Sequence, residues 1–477
     1  MHFTDDPQRA IVTTAMAVLV ATYAYYWFMA VRAIRGKHID RTPISDADLV
    51  AGLAVAAGAG STREFLIQVT TKGGALSVVE RGIDNVMEAV RRFPTLATLV
   101  RVEVVTESPD EIDSLHDRYA DSPVPVTGFL LPPTYATPRG SLMKARALHY
   151  MVEVHRAAPR DCYVVHYDEE SVFTPDNLAR LVRQLLTHPV GISEGSISYG
   201  LDWEDASLLN RAMESNRPFG CHECYSVMTN PPPMHLHGSN LVIRQDLENR
   251  IGWDIGTLDG VALIAEDLVF GLASYLEFGP EVFGWHYAEM VEQPPFTVKD
   301  AFRQRERWIF GTLQGLAHLR REERWKRLPA LRRSQIVTVV WGRIITYALG
   351  FPVTAFALYT NTLMAAAALG HLVDGERVAA PTWTPTATLM TVGLVLWTTA
   401  IQLGLWHNLR YTGLGRWARV REHVLVLVAS PFAGIADTAG PLVALVRWLC
   451  GARSVTWTPT PKLAGAAGEP ARSTADV

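Results

Sequence analysis

The chain has 477 residues, which is too many for one ordinary core, and a composition of 48% hydrophobic and 19% charged residues. A net charge of −4, with no basic tract interleaved with aromatics, gives no sign of a nucleic-acid partner, and none is expected. Four cysteines, Cys162, Cys221, Cys224 and Cys450, are too few for a disulfide framework and fit a reducing compartment.

The mean hydropathy of +0.09 hides a division: the middle is mixed and charged, and both flanks carry long apolar runs. Ala10 to Val31 contains no charge and is long enough to cross a hydrocarbon core of about 30 Å. It is longer than a signal-peptide apolar region of about 7–15 residues, and Asp5 and Asp6 make its leading side acidic. Tyr23, Tyr25, Tyr26 and Trp27 come toward its far end, as an interfacial aromatic belt would, and Arg32, Arg35, Lys37 and Arg41 follow. Residues 1–40 therefore read as a transmembrane helix with its N-terminus outside and the next domain in the cytoplasm.

From residue 64 to 298 strands alternate with helices. Phe65–Thr70, Leu99–Val105 and Cys162–Tyr167 have strand composition. Val79, Ile83, Val86, Met87 and Val90 have helical spacing, and Leu142–Val154 is a further helix. The expectation for residues 41–298 is an α/β domain with a parallel sheet and ligands at the carboxyl ends of its strands. No GxGxxG or GxxxxGK[ST] motif opens a helix, so a dinucleotide oxidoreductase and a P-loop enzyme lose support. Cys221-His222-Glu223-Cys224, with His235 and His237 nearby, resembles half a zinc site. No second cysteine pair follows, and a loop with two reduced thiols is the expected reading.

Three constellations carry chemistry. Asp168-Glu169-Glu170 follows an apolar strand, and an extended backbone would point Asp168 and Glu170 the same way, as two hard oxygen donors for Mg²⁺ or Mn²⁺. The alternative is a solvated acidic turn. Glu266-Asp267 opens an apolar helix, either as a capped structural pair or as a poised base. Gln304, Arg307 and Trp308 share a helix face, which groups an amide, a guanidinium and an indole. An interfacial helix with a snorkelling Arg and an anchoring Trp would look the same. Around them, Arg303, Arg305, Arg320, Arg321, Arg324, Lys326, Arg327, Arg332 and Arg333, with Trp325, mark residues 299–343 as helices on an anionic leaflet.

Residues 344–450 read as transmembrane helices: a span over Ile344–Leu369, a polar loop at His371–Glu376 and a second span over Thr386–Leu405. A basic loop with Arg410, Arg416, Arg419 and Arg421 precedes Val424–Leu449, which reads as one kinked span or a re-entrant hairpin around Pro431 and Gly434. The tail at 451–477, rich in Ala, Gly, Pro and Ser, reads as partly disordered.

Taken together and in this order, the constellations resemble the processive-type family 2 glycosyltransferases, the group of cellulose and hyaluronan synthases. Within that group the chain is more similar to the egghead-type β-1,4-mannosyltransferases. The residues that carry the resemblance are Val69–Gly73, Lys144–Leu148, His166–Ser171, Gly238–Asn240, Ala265–Asp267, Glu292–Thr297 and Gln304–Trp308, over roughly residues 10–460. The metal motif departs from the family, reading Asp-x-Glu instead of Asp-x-Asp. The chain also lacks the long C-terminal regulatory domain of bacterial cellulose synthases and has a small set of spans, which leaves processivity and export open.

The resemblance implies a GT-A, Rossmann-like cytoplasmic domain that transfers mannose from GDP-mannose with inversion to a carbohydrate or lipid-linked acceptor, forming a β-1,4 linkage. Thr70, Lys72 and Glu107 would line the nucleoside pocket, and Lys144 and Arg146 would approach the base or diphosphate. Asp168 and Glu170 would hold Mg²⁺ or Mn²⁺. Asp267 would be the base, and Glu266 would orient it or contact the acceptor. Gln304 and Arg307 would close over the diphosphate, and Trp308 would stack the acceptor. His286 is a candidate third metal ligand, and Trp203, Trp253 and Trp285 are candidate sugar platforms that core packing explains as well. Two other readings remain. One is a synthase using a UDP-sugar. The other is an inactive scaffold or transport subunit, which would be expected to have lost a metal carboxylate or the base.

Overall fold

The structure, a computed structural model, describes residues 38–59, 64–218, 238–374, 385–455 and 460–462, with scattered positions between 13 and 35 and at 220, 221, 224, 225 and 236. After a helix α1 (Asp46–Gly58), the chain alternates β1 (Glu64–Thr70), α2 (Leu76–Arg92), β2 (Val100–Thr106), α3 (Pro109–Tyr119), β3 (Val126–Leu130), α4 (Met143–Ala157) and β4 (Cys162–Asp168). β1 buries five consecutive residues, Phe65 to Val69, as a strand covered on both faces must. α2 buries Val79, Ile83, Val86 and Val90, the stripe its spacing predicts.

Beyond β4 come β5 (Val172–Phe173), α5 (Pro175–Thr187), β6 (Ile192–Glu194), β7 (Ile197–Tyr199), α6 (Leu208–Glu214), β8 (Leu241–Arg244) and α7 (Gln245–Ile251). They are followed by β9 (Thr257–Leu258), β10 (Val261–Ala262), α8 (Glu266–Phe278), β11 (Phe283–Trp285) and β12 (Met290–Glu292). The main sheet has the order β11-β6-β8-β4-β1-β2-β3. The expectation of an α/β domain holds, but the sheet is mixed: β8 runs antiparallel to both β4 and β6. A smaller sheet, β5-β12-β7, lies beside it. Register places Thr70 beside Asp168 on one side and Val105 on the other, so the carboxyl ends of β1, β2 and β4 are adjacent.

Among the described residues four longer helices follow, α9 (Val298–Leu319), α11 (Ala330–Asp374), α12 (Pro385–Asn408) and α13 (Arg416–Leu449), with a short α10 (Glu323–Arg327) after α9. Among the described residues three segments are long and apolar enough to cross a membrane: Ala330–Leu363, Thr388–Tyr411 and Arg416–Leu449. The expected surface-lying stretch and the span after it form one 45-residue helix, since Pro352 removes a single backbone bond without ending it. The helix also runs through His371 to Asp374, where a loop was expected; residues 375–384 lie outside the described residues. Val424–Leu449 belongs to one helix despite Pro431 and Pro441, which settles the hairpin alternative. The N-terminal run at 10–31 falls largely outside the described residues, but Met16 packs with Val353, Ala357 and Met390, and Trp27 with Ala400.

The basic stretch departs from the simple picture of helices lying on a leaflet. Arg305 is buried and Trp325 is core, while Arg321 pairs with Asp259 at 2.7 Å and Arg324 with Glu277 at 3.5 Å. Trp203, Trp253 and Trp285 are all buried, with Trp253 stacked on Phe270 at 4.1 Å, so none is a sugar platform. Cys221 and Cys224 are buried and form no disulfide; His222, Glu223, His235 and His237 lie outside the described residues.

Candidate active site

The site forms where β1, β2 and β4 end. Thr70 closes β1, and its buried Oγ1 has no partner among the described residues. The loop beyond it turns back on the loop after β2. Gly73 has φ +98°, and a Cβ there would lie 2.9 Å from Ser108 Cβ, so only glycine lets the loops approach this closely. Glu111 ties them together, accepting from Gly74 N at 2.7 Å and from Thr106 Oγ1 at 2.7 Å. Lys72 is exposed on this loop. Glu107 accepts from Arg146 Nη2 at 2.6 Å, which brings two of the expected donor-binding residues together.

The acidic triplet is arranged differently from the expectation of an extended backbone. β4 ends at Asp168 and the chain turns at once, with Ser171 N donating to Asp168 O at 3.0 Å. The turn spreads the three carboxylates. Asp168 pairs with Lys144, whose Nζ also donates to Gly238 O at 3.0 Å. Glu169 accepts from Thr71 Oγ1 at 2.6 Å. Glu170 pairs with Lys462, from the far end of the chain. Burial works against a charged Lys462, but Glu170, Glu169 and Asp168 together hold its proton affinity above the usual range. An ammonium therefore sits among all three carboxylates.

That arrangement bears on a divalent ion. Among the described residues no three acidic, His or Cys side chains form a closed metal site. Asp168 and Glu170 instead share a cation from one side, and one buried oxygen, Glu170 Oε2, has no partner among the described residues. Mg²⁺ and Mn²⁺ sites completed by substrate phosphates need only one or two protein carboxylates, so these residues fit such an ion. His286 does not join them. It is fully buried, its Nε2 lies 3.1 Å from Asn240 O, and burial pulls its pKa down to about 4.

Glu266 and Asp267 are the first two residues of α8, and Asp267 Oδ1 accepts from Leu268 N at 2.7 Å. A Cβ on Gly238 would lie 2.9 Å from Lys144 Nζ, 3.8 Å from Asp267 Oδ2 and 4.0 Å from Glu266 Oε1, so these three groups meet around one glycine. Burial, followed by the charge of Glu266, pushes the Asp267 carboxyl up to about 7. α9 packs closely on this corner. A Cβ on Gly311 would be 2.8 Å from Ala265 Cβ. One turn earlier, Arg307 is buried, which lowers its proton affinity, and the nearby charges of Glu266, Asp168, Asp267 and Glu170 offset that only in part.

The other residues of the Gln-x-x-Arg-Trp motif are placed differently. Gln304 Oε1 accepts from Arg305 Nη1 at 3.2 Å. Trp308 is 38% exposed and has the guanidiniums of Arg217 and Arg305 over its ring at 5.0 and 5.7 Å.

Lys462, Glu169 and Glu292 were not anticipated as site residues. Glu292 accepts from Ser171 Oγ at 3.0 Å and from Ser239, and burial, then Glu170 and Asp168, push its carboxyl up to about 8. Its sequence signal was the run Glu292–Thr297 itself. Lys462 had no sequence signal, since it lies in the stretch that reads as tail.

The chain is 28% identical over 254 residues to "Beta-1,4-mannosyltransferase egh" of Drosophila melanogaster, covering 52% of this chain and 51% of that one. It is 28% identical over 253 residues to "Beta-1,4-mannosyltransferase bre-3" of Caenorhabditis elegans, with the same coverage. The match thus spans about half the length of these curated relatives. Among solved structures, S. aureus TarS 1–349 aligns over 82% of this chain and 92% of its own, at 12% identity and a TM-score of 0.37. The family model described as "Glycosyl transferase family group 2" matches residues 163–406, just over half of the chain, from β4 and its acidic turn through the Gln-x-x-Arg-Trp helix, and the chain belongs to that family.

Proposed function

We propose that this glycosyltransferase moves mannose from GDP-mannose, with inversion, to a carbohydrate or lipid-linked acceptor, forming a β-1,4 linkage at the cytoplasmic face of a membrane. The observation that carries the reading is the meeting of Lys144, Glu266 and Asp267 around Gly238, with Asp168 paired to Lys144. The names of the curated relatives support mannose and the β-1,4 linkage.

In this reading Asp267 takes the proton of the acceptor hydroxyl. The acceptor oxygen forms its bond to sugar C1 as the bond from C1 to the phosphate oxygen breaks, and the diphosphate leaves with that electron pair. One displacement on an α-linked donor gives a β-linked product. A carboxyl at about 7 is matched to this task, because half of it is a base at neutral pH and its affinity for the proton is high. Glu266 raises that affinity by its charge. Lys144 and Arg307 meet charge on the diphosphate, and Thr70, Lys72, Glu107 and Arg146 line the nucleoside side. Mg²⁺ or Mn²⁺ held by Asp168 and Glu170 would supply Lewis-acid stabilisation of the leaving diphosphate. Trp308 stacks the acceptor sugar.

The test is nucleoside diphosphate release by the full chain in nanodiscs, comparing GDP-mannose with GDP-glucose, UDP-glucose and UDP-N-acetylglucosamine, with short β-mannosides as acceptor and Mg²⁺ or Mn²⁺ present. Turnover with GDP-mannose is expected, and it should be lost in Asp267→Asn, in Asp168→Ala and on chelation. Turnover with a UDP-sugar alone would overturn the mannose assignment, and no donor binding in the presence of metal would point to the scaffold reading.

A further inference from the structure

Four charged side chains meet in the protein interior beside Trp308. Glu214 ends α6, Arg217 follows it, Arg305 lies on α9, and Asp437 comes from α13, one of the three helices able to span a membrane. Asp437 accepts from Arg217 Nη2 at 3.0 Å and from Arg305 Nε. Glu214 completes the square, accepting from Arg217 Nε at 3.1 Å and from Arg305 Nη2. Arg305, Glu214 and Asp437 are each at most 2% exposed.

The helices are built to hold this contact. A Cβ on Gly440, three residues after Asp437, would lie 2.6 Å from Phe302 O and 3.0 Å from Glu306 N. α13 therefore rests on the α9 backbone there, and Asp437 has little freedom to withdraw. Glu422 makes a comparable contact nearer the start of α13, pairing with Arg211 at 3.1 Å.

The square balances two positive charges with two negative ones. A buried network of this kind is weak as a source of stability, since well-packed apolar residues often replace one without loss. Its geometric consequence is clearer. Both of its guanidiniums lie over the Trp308 ring, so the ring's plane is fixed by groups that are themselves fixed by Asp437 and Glu214. An indole that presents a flat face to a sugar needs such fixing, because a ring free to turn loses rotamer entropy on each binding event.

We propose that Asp437 is a positioning residue for the acceptor: through Arg305 and Arg217 it fixes the plane of Trp308, the surface on which the acceptor sugar stacks. The proposal rests on the assignment of Trp308 to the acceptor made above. It gives a helix otherwise fit for the membrane a direct hold on acceptor binding.

The experiment uses the full chain in nanodiscs with whichever nucleotide-sugar the wild type turns over. Acceptor concentration is varied at saturating donor, and donor hydrolysis is followed without acceptor. For Asp437→Asn the acceptor KM should rise about tenfold, with kcat and acceptor-free hydrolysis within about twofold of wild type, the pattern of lost binding without lost chemistry. Asp437→Glu should restore most of the acceptor KM. If Asp437→Asn does not fold, Arg217→Lys keeps the charge while removing the planar group over the ring, and it should show the same pattern to a smaller degree. Trp308→Ala separates the two layers of the argument. If it raises the acceptor KM while Asp437→Asn and Arg217→Lys leave it unchanged, the positioning role is overturned. If Trp308→Ala leaves the acceptor KM unchanged, the assignment of Trp308 itself is wrong.

Discussion

The proton affinity of Asp267 makes the base assignment testable by its pH dependence. The carboxyl is raised from 3.8 to about 7, with burial as the first cause and Glu266 as the second. Activity should therefore rise with pH along a limb centred near 7, since the base works only when ionised. Glu266→Gln removes the second cause and leaves the first. Burial being the larger, the limb should move to lower pH by on the order of one unit and remain above the value of a free aspartate. Asp267→Asn should remove the limb together with most of the rate, a loss of about 10²–10⁴. Stability moves the opposite way. A carboxyl raised on folding stabilises the fold fully at low pH, and that contribution is lost as pH rises from about 4 through about 7. Asp267→Asn should therefore be more stable than the wild type at pH 8, by less than an upper bound of ~4 kcal/mol since solvent at the cleft reduces the burial penalty, and by a smaller margin at pH 5. The assays are initial rates of nucleoside diphosphate release from pH 5 to 9 and thermal melts in detergent at the two pH values. A limb that stays in place in Glu266→Gln, or an Asp267→Asn variant whose advantage over the wild type is no larger at pH 8 than at pH 5, would refute the reasoning.

Two further predictions concern how the site is assembled. Gly311→Ala places a methyl 2.8 Å from Ala265 Cβ, so α9 and the start of α8 must separate; a loss of about 1–3 kcal/mol in stability is expected, with a fall in kcat because Arg307 moves away from Asp267. Lys462→Ala removes the ammonium paired with Glu170, so a divalent ion no longer competes with it; the Mg²⁺ or Mn²⁺ concentration for half-maximal activity should fall, and Mn²⁺ binding followed by electron paramagnetic resonance should tighten.

The parts of the fold legible in sequence were those with long, regular patterns. β1, β2 and β4 are seven-residue strands and were visible as apolar runs, as was the stripe of α2. β8 was not, because four residues cannot reveal an antiparallel partner, and the two- and three-residue strands of the small sheet carry no period. In the site, Asp168, Glu266, Asp267 and Arg307 stood out as charges in apolar or motif settings, and all four interact electrostatically. The reason given for Asp168 and Glu170 did not hold: the backbone turns after Asp168, so their proximity to one cation comes from a turn and not from strand alternation. Trp308 and Arg305 show the limit of helical-face reasoning. Spacing placed Trp308 with Gln304 and Arg307, but its described neighbours are Arg217 and Arg305, and no helical wheel includes Asp437 from 132 residues away.

The charge balance of the cleft bears on the order in which ligands bind. Asp168, Glu169, Glu170, Glu266, Asp267 and Glu292 are six acidic groups, against Lys144, Arg307 and Lys462. Burial leaves Asp267 about half-protonated and Glu292 mostly protonated near neutral pH, which removes part of the excess. Even so, the three cations are already engaged by carboxylates, and an incoming diphosphate adds negative charge that none of them is free to meet without giving up a partner. A divalent ion on Asp168 and Glu170 would release both ammonium groups toward the phosphates. Nucleotide and metal should therefore bind with positive coupling, each strengthening the other by the same factor. Titration of the full chain with GDP, with and without saturating Mg²⁺, should show affinity higher by about tenfold or more with the ion present, and Mn²⁺ affinity should rise equally when GDP is bound. Equal GDP affinity in the two conditions would mean that Lys144 and Arg307 meet the phosphates unaided, and the role given to Asp168 and Glu170 would have to be abandoned.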